Sequence, residues 1–387
     1  MYKPANNKIQ FILFFLLYNS IVLIIHFSKD YMGDRALSVG TLIHPWASIQ
    51  YFFTYFNEFS KRALVGTFFN IFQIDITYES IFIFSIIVIN LFFILFYLFS
   101  KKVFEKQPAH YFTFFMLLFI LSPAVAAQRG LHISFLDNPN LLLTLIMIIA
   151  IIKYSTKINM IIVPLLSTIA IFIHEAFILI NTPLILSIII NEIKDKKHTW
   201  RLLYIEISTV IFASLMIYLF GKVDQNTLEN VRLLLPDDAI GPASDAFKIW
   251  TRSITDNFEI TQAEYRLETW KTIFPIFPLL LSYIYLVASL LHWTKMTWSQ
   301  KLVAISPLGI LPLYLIAHDF VRFIALFIIL LFVVFIYLLR DTKVYLKISK
   351  VDKIIIFIIF AYSFFGPLGV MTGFPYVNNF ENIINSI

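Results

Sequence analysis

Residues 79–100 read ESIFIFSIIVINLFFILFYLFS, an apolar run of 22 residues whose one charged side chain stands at its first position. In a helix such a run extends about 33 Å, since each residue adds about 1.5 Å. The hydrocarbon core of a bilayer is about 30 Å thick, and ~20 apolar residues are enough to cross it. This segment therefore predicts a membrane-spanning helix.

The composition of the whole chain favours the same class. Of 387 residues, 59% are hydrophobic and 14% are charged, with a mean hydropathy of +0.81, whereas soluble domains carry about 25% charged residues. The absence of cysteine excludes disulfides, thiol catalysis and cysteine-ligated zinc or iron–sulfur centres. We therefore expect an all-α, polytopic integral membrane protein that forms a single transmembrane domain over residues 1–387.

The hydropathy pattern predicts about 11 transmembrane helices. Two neighbouring pairs, 158–173 with 176–191 and 302–317 with 320–339, are nearly contiguous, so each pair could instead be one bent helix. Against this, ~33 apolar residues would reach about 50 Å, too long for one bilayer core. No small-residue cleavage site follows the first segment, so we expect it to be a retained helix. The segments are 9–27, 79–100, 110–127, 136–153, 158–173, 176–191, 202–220, 270–292, 302–317, 320–339 and 354–372.

The distribution of basic residues predicts the orientation. With the N-terminus in the cytoplasm, 18 of the 30 Lys and Arg residues fall in short cytoplasmic segments, as the positive-inside rule requires. The net charge of +6 is thus explained by topology rather than by nucleic acid binding. Two long loops, 28–78 and 221–269, then lie on the outer side. Within the first, GTLIHPWASIQYFFTYF (40–56) and ALVGTFFNIF (63–72) are too apolar for a free loop, and we expect them at the membrane interface or re-entering it.

Charged and histidine residues gather on the same predicted outer side. Such groups are rare within or next to membrane spans and usually functional. We expect them to form one outward-facing polar site ringed by short helices. The candidates are Arg35, Lys61, Arg62, Arg129, His132, His174, Glu175, His318, Asp319 and Arg322.

Each of these motifs also has a purely structural interpretation. His174–Glu175 and His318–Asp319 could be hydrated turns, and Asp319 could pair with Arg322 one helical turn later. Gly130, which follows Arg129, could cap a helix or allow a ligand or backbone to approach. Lys61–Arg62 could be an interfacial anchor.

The available side chains favour chemistry on an anionic lipid headgroup. No phosphate-binding loop, dinucleotide fingerprint or nucleophile elbow is present, and the cytoplasmic loops are too short for a nucleotide-binding domain. Arginines would hold a diphosphate, while a carboxylate or histidine would deprotonate an acceptor hydroxyl. Because a diphosphate is already a good leaving group, the reaction requires neither a metal nor another cofactor.

Four short elements resemble a known family: SKRALVG (60–66), QRGL (128–131), IHEAF (173–177) and HDFVRF (318–323). Together with the predicted architecture, they look like bacterial polysaccharide repeat-unit polymerases of the Wzy type, from O-antigen and capsule loci. The resemblance implies a GT-C-like fold in the bacterial inner membrane, acting on undecaprenyl-diphosphate-linked glycans at the periplasmic side. It also implies contact with membrane lipid and with a chain-length regulator.

On this interpretation the site residues take specific roles. Glu175 or His174 is the candidate base, and Asp319 orients Arg322 or His318. Arg62, Arg129 and Arg322 contact the diphosphate, and further substrate contacts come from Arg35, Lys61 and His132.

Two other functions stay open. A transferase that takes one sugar from polyprenyl phosphate would use acidic residues of the first outer loop, where Asp30, Asp34 and Glu58 lie. A transporter or flippase of lipid-linked glycans would instead need polar residues at mid-membrane and access from both sides.

Overall fold

The computed structural model describes residues 7–27, 43, 45–192, 196–235, 247, 250–251, 258–259, 262, 277–317, 320–341, 346 and 348–365. Every regular element in this part of the chain is helical, as expected for an all-α protein. The α-helices are α1 (Asn7–Phe27), α2 (Pro45–Ser48), α3 (Leu64–Ile71), α4 (Tyr78–Phe104), α5 (Ala109–Leu121), α6 (Gln128–Leu131), α7 (Asp137–Lys153), α8 (Thr156–Ile173), α9 (Phe177–Ile180), α10 (Thr182–Asn191), α11 (Lys196–Phe220), α12 (Gln225–Leu234), α13 (Phe277–Leu290), α14 (Trp298–Ile305), α15 (Leu313–Ile316), α16 (Phe320–Asp341) and α17 (Lys350–Phe365).

Six stretches among the described residues are long and apolar enough to cross a membrane. A seventh is added if the pair Ala109–Leu121 and Ala124–Gly130, bent by 49°, counts as one span. These helices support a membrane protein, while the count of 11 and the orientation remain predictions. The six are Lys8–Phe27, Tyr78–Phe104, Thr156–Ile173, Trp200–Phe220, Trp298–Ile316 and Arg322–Arg340.

Eleven spans were predicted and six helices in the described part of the chain qualify as candidate spans, yet each predicted segment overlaps a helix or a group of helices. The predicted segment 176–191 is interrupted: α9 ends at Ile180 and α10 starts at Thr182, with Pro183 in its first turn. Pro183 has no N–H to donate to the carbonyl of Leu179, four residues earlier, and its ring crowds that carbonyl, which accounts for the interruption. The predicted segments 270–292 and 354–372 both extend beyond the described residues.

The chain divides into two compact units. One comprises Met1–Tyr31, Phe93–His132 and Ile260–Ile387, and the other comprises Met32–Phe92 and Ile133–Glu259.

In the first unit, α16 is the most enclosed helix. The whole span Arg322–Arg340 is buried within the protein. Aromatic rings pack against it from two directions, with Phe332 edge-on to Phe119 at 5.2 Å and to Tyr283 at 5.4 Å between ring centroids. Tyr283 in turn donates a 2.7 Å hydrogen bond to Ser122 Oγ, so its hydroxyl is satisfied inside this apolar packing.

In the second unit, α7, α8 and α11 pack together around one buried acidic side chain. Glu206 of α11 is fully buried, and its Oε1 lies 2.5 Å from Ser167 Oγ of α8. Ser167 also lies 3.3 Å from the sulfur of Met147 on α7. Glu206 was not identified from the sequence, because one acidic residue in an otherwise apolar span lowers the mean hydropathy of that span only slightly.

We predict that Glu206→Gln is tolerated, with a change of less than about 1 kcal/mol in the free energy of unfolding, because an amide oxygen can accept the same hydrogen bond. Glu206→Ala should cost about 1–3 kcal/mol, since the buried Ser167 hydroxyl loses this partner. Thermal unfolding of both variants in detergent micelles measures the difference. Equal losses of stability in the two variants would contradict the prediction.

The two predicted outer loops also pack in the second unit. Phe53 of the first loop stacks on Trp250 of the second, with ring centroids 4.2 Å apart and an interplanar angle of 19°. Both rings are almost fully buried. Of the apolar stretches of the first loop, Tyr51, Phe53 and Phe69 are buried inside the protein, whereas Phe56, Phe68 and Phe72 are exposed. Their expected place at the membrane interface, or re-entering it, stays a prediction. Among the described residues, the loop core consists of Ile49, Phe52, Phe53, Ala63, Val223, Leu228, Val231, Leu235 and Trp250.

Candidate functional site

The site begins with an ion pair between Arg62 and Glu175 in the second unit. Nε of Arg62 lies 2.9 Å from Oε2 and 3.1 Å from Oε1, while Nη2 lies 2.5 Å from Oε1. Both carboxylate oxygens are therefore engaged by one guanidinium, the geometry in which arginine binds carboxylates and phosphates most strongly. The Glu175 side chain keeps 28% of its surface exposed, so the pair is reachable from outside.

The backbone around Arg62 is held in an unfavourable conformation. Arg62 has φ of 63°, in the left-handed region, which costs a non-glycine residue about 1–3 kcal/mol. Two hydrogen bonds from distant segments hold the preceding residue: the Lys61 N–H donates to the Gly221 carbonyl at 3.2 Å, and Trp250 Nε1 donates to the Lys61 carbonyl at 3.0 Å. Together with the ion pair, they offset the strain and direct the guanidinium towards Glu175.

Glu175 sits on a tight turn directly after α8. That helix ends at Ile173, and His174 takes an extended conformation with φ of −157°. His174 Nδ1 accepts the N–H of Ala176 at 3.0 Å, and Asn140 Nδ2 donates to the His174 carbonyl at 3.2 Å. Because Nδ1 accepts a backbone N–H, it carries no proton and already has a donor. His174 therefore acts in shaping the turn, and Glu175 presents the accessible carboxylate.

Arg62 and Lys61 both act on the Glu175 carboxylate, and Lys222 acts on Lys61. Lys61 interacts electrostatically with Glu175, Arg62 and Lys222. Burial lowers the pKa of the Lys61 ammonium, an effect that Glu175 opposes and that the two neighbouring cations reinforce. Burial alone would raise the pKa of Glu175, but the charge of Arg62, the hydrogen bonds of Arg62 to the carboxylate and the charge of Lys61 hold this pKa well below its usual range. The cluster therefore has excess positive charge and a firmly ionised carboxylate.

The structure brings together only part of the predicted site. Lys61, Arg62, His174 and Glu175 meet in the second unit, as described. The first unit contains Arg129, His132 and Arg322. The remaining three candidates, Arg35, His318 and Asp319, lie outside the described residues, as do the acidic residues Asp30 and Asp34.

Arg129 belongs to the short helix α6, which packs on α1, and His132 directly follows that helix. A Cβ on Gly130 would lie 2.5 Å from the Val22 carbonyl oxygen, so this glycine allows a backbone to approach. His26 Nδ1 lies 3.2 Å from the Gly130 carbonyl oxygen, and His132 Nδ1 lies 2.6 Å from Gln128 Nε2. Of the interpretations given to Gly130, the close approach of backbone accounts for its position.

Arg322 stands in the first turn of α16 and is buried. Its guanidinium carbon lies 5.6 Å from the centroid of the Phe323 ring, within cation–π range. The expected pair with Asp319 falls outside the described residues.

Three contributors to the site were missed from sequence. Lys222 lies two residues after the predicted span 202–220, where a lysine is easily taken for an anchor. Asn140 belongs to the polar quartet DNPN (137–140) at the start of α7, a run unusual enough to have been a signal. Trp250 carried no signal, because its role depends on the folding of a long loop.

The described residues contain no group of three or more His, Asp or Glu side chains arranged to hold a metal ion. Comparison with protein families, curated proteins and solved structures gives no match. The chemistry that the site supports is recognition of an anion by Arg62 and Lys61 beside one carboxylate, with Lys222 close to Lys61.

Proposed function

We propose that this protein is a bacterial inner-membrane glycosyltransferase that polymerises undecaprenyl-diphosphate-linked repeat units on the periplasmic side. The observation that carries the proposal is the Glu175 carboxylate, which is bound by Arg62 and faced by Lys61, with Lys222 close to Lys61. This combination provides an anion-binding group and a proton acceptor in one place.

The position of the cluster fits a lipid headgroup. α8 ends at Ile173 and α11 ends at Phe220, and both contain candidate membrane spans. Arg62 binds Glu175, which lies two residues after the end of α8. The Lys61 N–H donates to the carbonyl of Gly221, the first residue after the end of α11. The two helix ends therefore meet one loop segment, at the boundary where the phosphates of a lipid carrier would lie.

In the proposed reaction, an acceptor sugar hydroxyl attacks the anomeric carbon of the lipid-linked glycan. The bond from that carbon to the diphosphate oxygen breaks, and the hydroxyl proton passes to the Glu175 carboxylate. Lys61, Arg62 and Lys222 stabilise the charge that develops on the departing diphosphate. We assign the base role to Glu175 rather than to His174, since His174 Nδ1 is engaged by the Ala176 N–H.

The other candidates keep their proposed roles within this scheme. The family resemblance implies substrate contacts for Arg129, His132, Arg322 and Arg35, and catalytic roles for His318 and Asp319. A chain-length regulator is the proposed protein partner.

Deletion of the gene in its native host tests the proposal. We expect the surface polysaccharide ladder on a gel to collapse to a single repeat unit and to return with the wild-type gene. Glu175→Gln and Arg62→Ala should restore less than about 1% of the polymer, since positioned general bases contribute about 10²–10⁴-fold. Matched controls are Glu229→Gln and Arg232→Ala, both on the exposed side of α12, which should restore the full ladder.

The same experiment separates the alternatives. A ladder that persists with altered mobility would contradict polymerisation and indicate transfer of a single sugar. Full ladders from both Glu175→Gln and Arg62→Ala, at normal protein levels, would contradict the assigned roles.

A further inference from the structure

The mode of contact between Arg62 and Glu175 raises a chemical difficulty for the proposed function. A carboxylate bound through both oxygens to a guanidinium, with its pKa held low, is a weak proton acceptor. The same contact occupies the Arg62 donors that would otherwise bind phosphate. In the arrangement described here, each partner therefore blocks the function of the other.

We propose that the Glu175 carboxylate is a built-in competitor for a diphosphate site formed by Lys61, Arg62 and Lys222, and that an entering diphosphate displaces it from Arg62. Carboxylate and phosphate present similar oxygen pairs to a guanidinium, so one can replace the other on the same donors. Displacement frees Glu175 as a base only when the anionic substrate is present. This inference rests on the proposed function for its biological meaning, but it concerns binding alone.

The surroundings of the pair are built for such an exchange. Arg62 and Glu175 neutralise each other, and Lys61 adds a positive charge beside them, so the site attracts an anion of higher charge than a carboxylate. The backbone just before Arg62 is held in place, because Lys61 forms hydrogen bonds with Gly221 and Trp250. Glu175 lies on a short turn between α8 and α9 and is the more exposed partner, at 28% against 11% for the Arg62 side chain. We therefore expect the carboxylate to move while the guanidinium stays.

Binding of inorganic pyrophosphate to the purified full chain in detergent micelles tests the proposal. We expect Glu175→Gln to bind pyrophosphate about tenfold more tightly than the wild type, as follows if the pair is closed in about 90% of molecules. Arg62→Ala should weaken binding, and the double variant Arg62→Ala, Glu175→Gln should lose the gain. Unchanged or weaker binding by a folded Glu175→Gln variant would overturn the proposal.

A matched control separates competition from a general change in charge. Glu58 lies four residues before Arg62, and its Oε2 accepts the Asp224 N–H at 3.3 Å. Glu58→Gln removes the same charge and keeps an acceptor, so it should change pyrophosphate affinity less than about twofold, since an exposed charge is screened. A gain equal to that of Glu175→Gln would show that net charge, and not release of Arg62, sets the affinity, and would overturn the proposal.

A measurement on the wild type covers the case in which Glu175→Gln fails to fold. Displacement of Glu175 should loosen the turn His174–Phe177, which now holds hydrogen bonds from Ala176 N–H to His174 Nδ1 and from Phe177 N–H to the His174 carbonyl. Saturating pyrophosphate should therefore accelerate hydrogen exchange in this segment. Slower exchange at saturation would overturn the proposal.

Geranylgeranyl diphosphate, tested in parallel, distinguishes the two sources of the anion. Tighter binding of the isoprenoid form than of pyrophosphate, in the wild type and in Glu175→Gln alike, supports a lipid carrier; equal affinities for the two probes support a free diphosphate in the same displacement. The result is independent of the polysaccharide ladder. Suppose that Glu175→Gln binds pyrophosphate more tightly but the gene-deletion strain shows a normal ladder. The role of Glu175 as a competitor would then be supported, and the polymerase function would be rejected.

Discussion

Replacing Trp250 with alanine is expected to lower the free energy of unfolding by about 3–5 kcal/mol, the range for removing a fully buried aromatic side chain. The ring has no exposed surface and stacks on Phe53 at 4.2 Å. Its Nε1 also donates to the Lys61 carbonyl, one residue before the strained Arg62. The variant should therefore lose stability and anion binding together, as measured by thermal unfolding in micelles and by pyrophosphate titration.

Two variants sharpen this prediction. Trp250→Phe retains a ring against Phe53 but has no donor for the Lys61 carbonyl, so its loss of stability should be smaller while its binding still weakens. Trp298→Ala removes a side chain that is 74% exposed and should change neither measurement appreciably. A Trp250→Ala variant as stable as the wild type would show that the packing between the two loops contributes little.

Gly66→Ala is expected to destabilise the second unit by about 3 kcal/mol or more, at or beyond the upper end of typical overpacking costs. A Cβ at this position would lie 2.2 Å from the carbonyl oxygens of both Tyr51 and Phe53. Because both obstacles are backbone atoms, no side-chain rotation relieves the contact. α3 must move away from residues 51–53, and Arg62, just before this helix, must move with it.

Asn70→Ala on the exposed side of the same helix is the matched control, with an expected change within about 0.5 kcal/mol. The comparison requires only thermal unfolding of the two purified variants. Similar midpoints for Gly66→Ala and the wild type would contradict the close approach of α3 to the preceding backbone.

The sequence predicted the helices well because hydropathy is a local property. The segment 158–173 ends where α8 ends, at Ile173, and Glu175 was recognised as a candidate on the turn that follows. It predicted less well where one residue changes the outcome, as at Pro183, which separates α9 from α10 within one apolar segment. Glu206 was overlooked because one acid barely changes the hydropathy of a span, and its partner Ser167 lies 39 residues earlier.

Contacts between residues far apart in the chain could not be predicted from the sequence. Lys61–Arg62 and His174–Glu175 were both identified, yet nothing local indicates that residues 113 apart form an ion pair. Trp250 contacts Lys61 across 189 residues and appeared in sequence only as part of a polar loop. Such contacts depend on how helices of similar hydropathy pack, which a single sequence leaves undetermined.

The stacking of Phe53 on Trp250 has a consequence for protein engineering and for the evolution of the two loops. The two predicted loops share one core, so each supplies half of the same structure. Chimeras with related proteins should therefore fold only when both loops are exchanged together. A single foreign loop would have to pack against a loop whose side chains do not fit it. Over evolutionary time the two segments are expected to change in step, and recombination between them should be disfavoured.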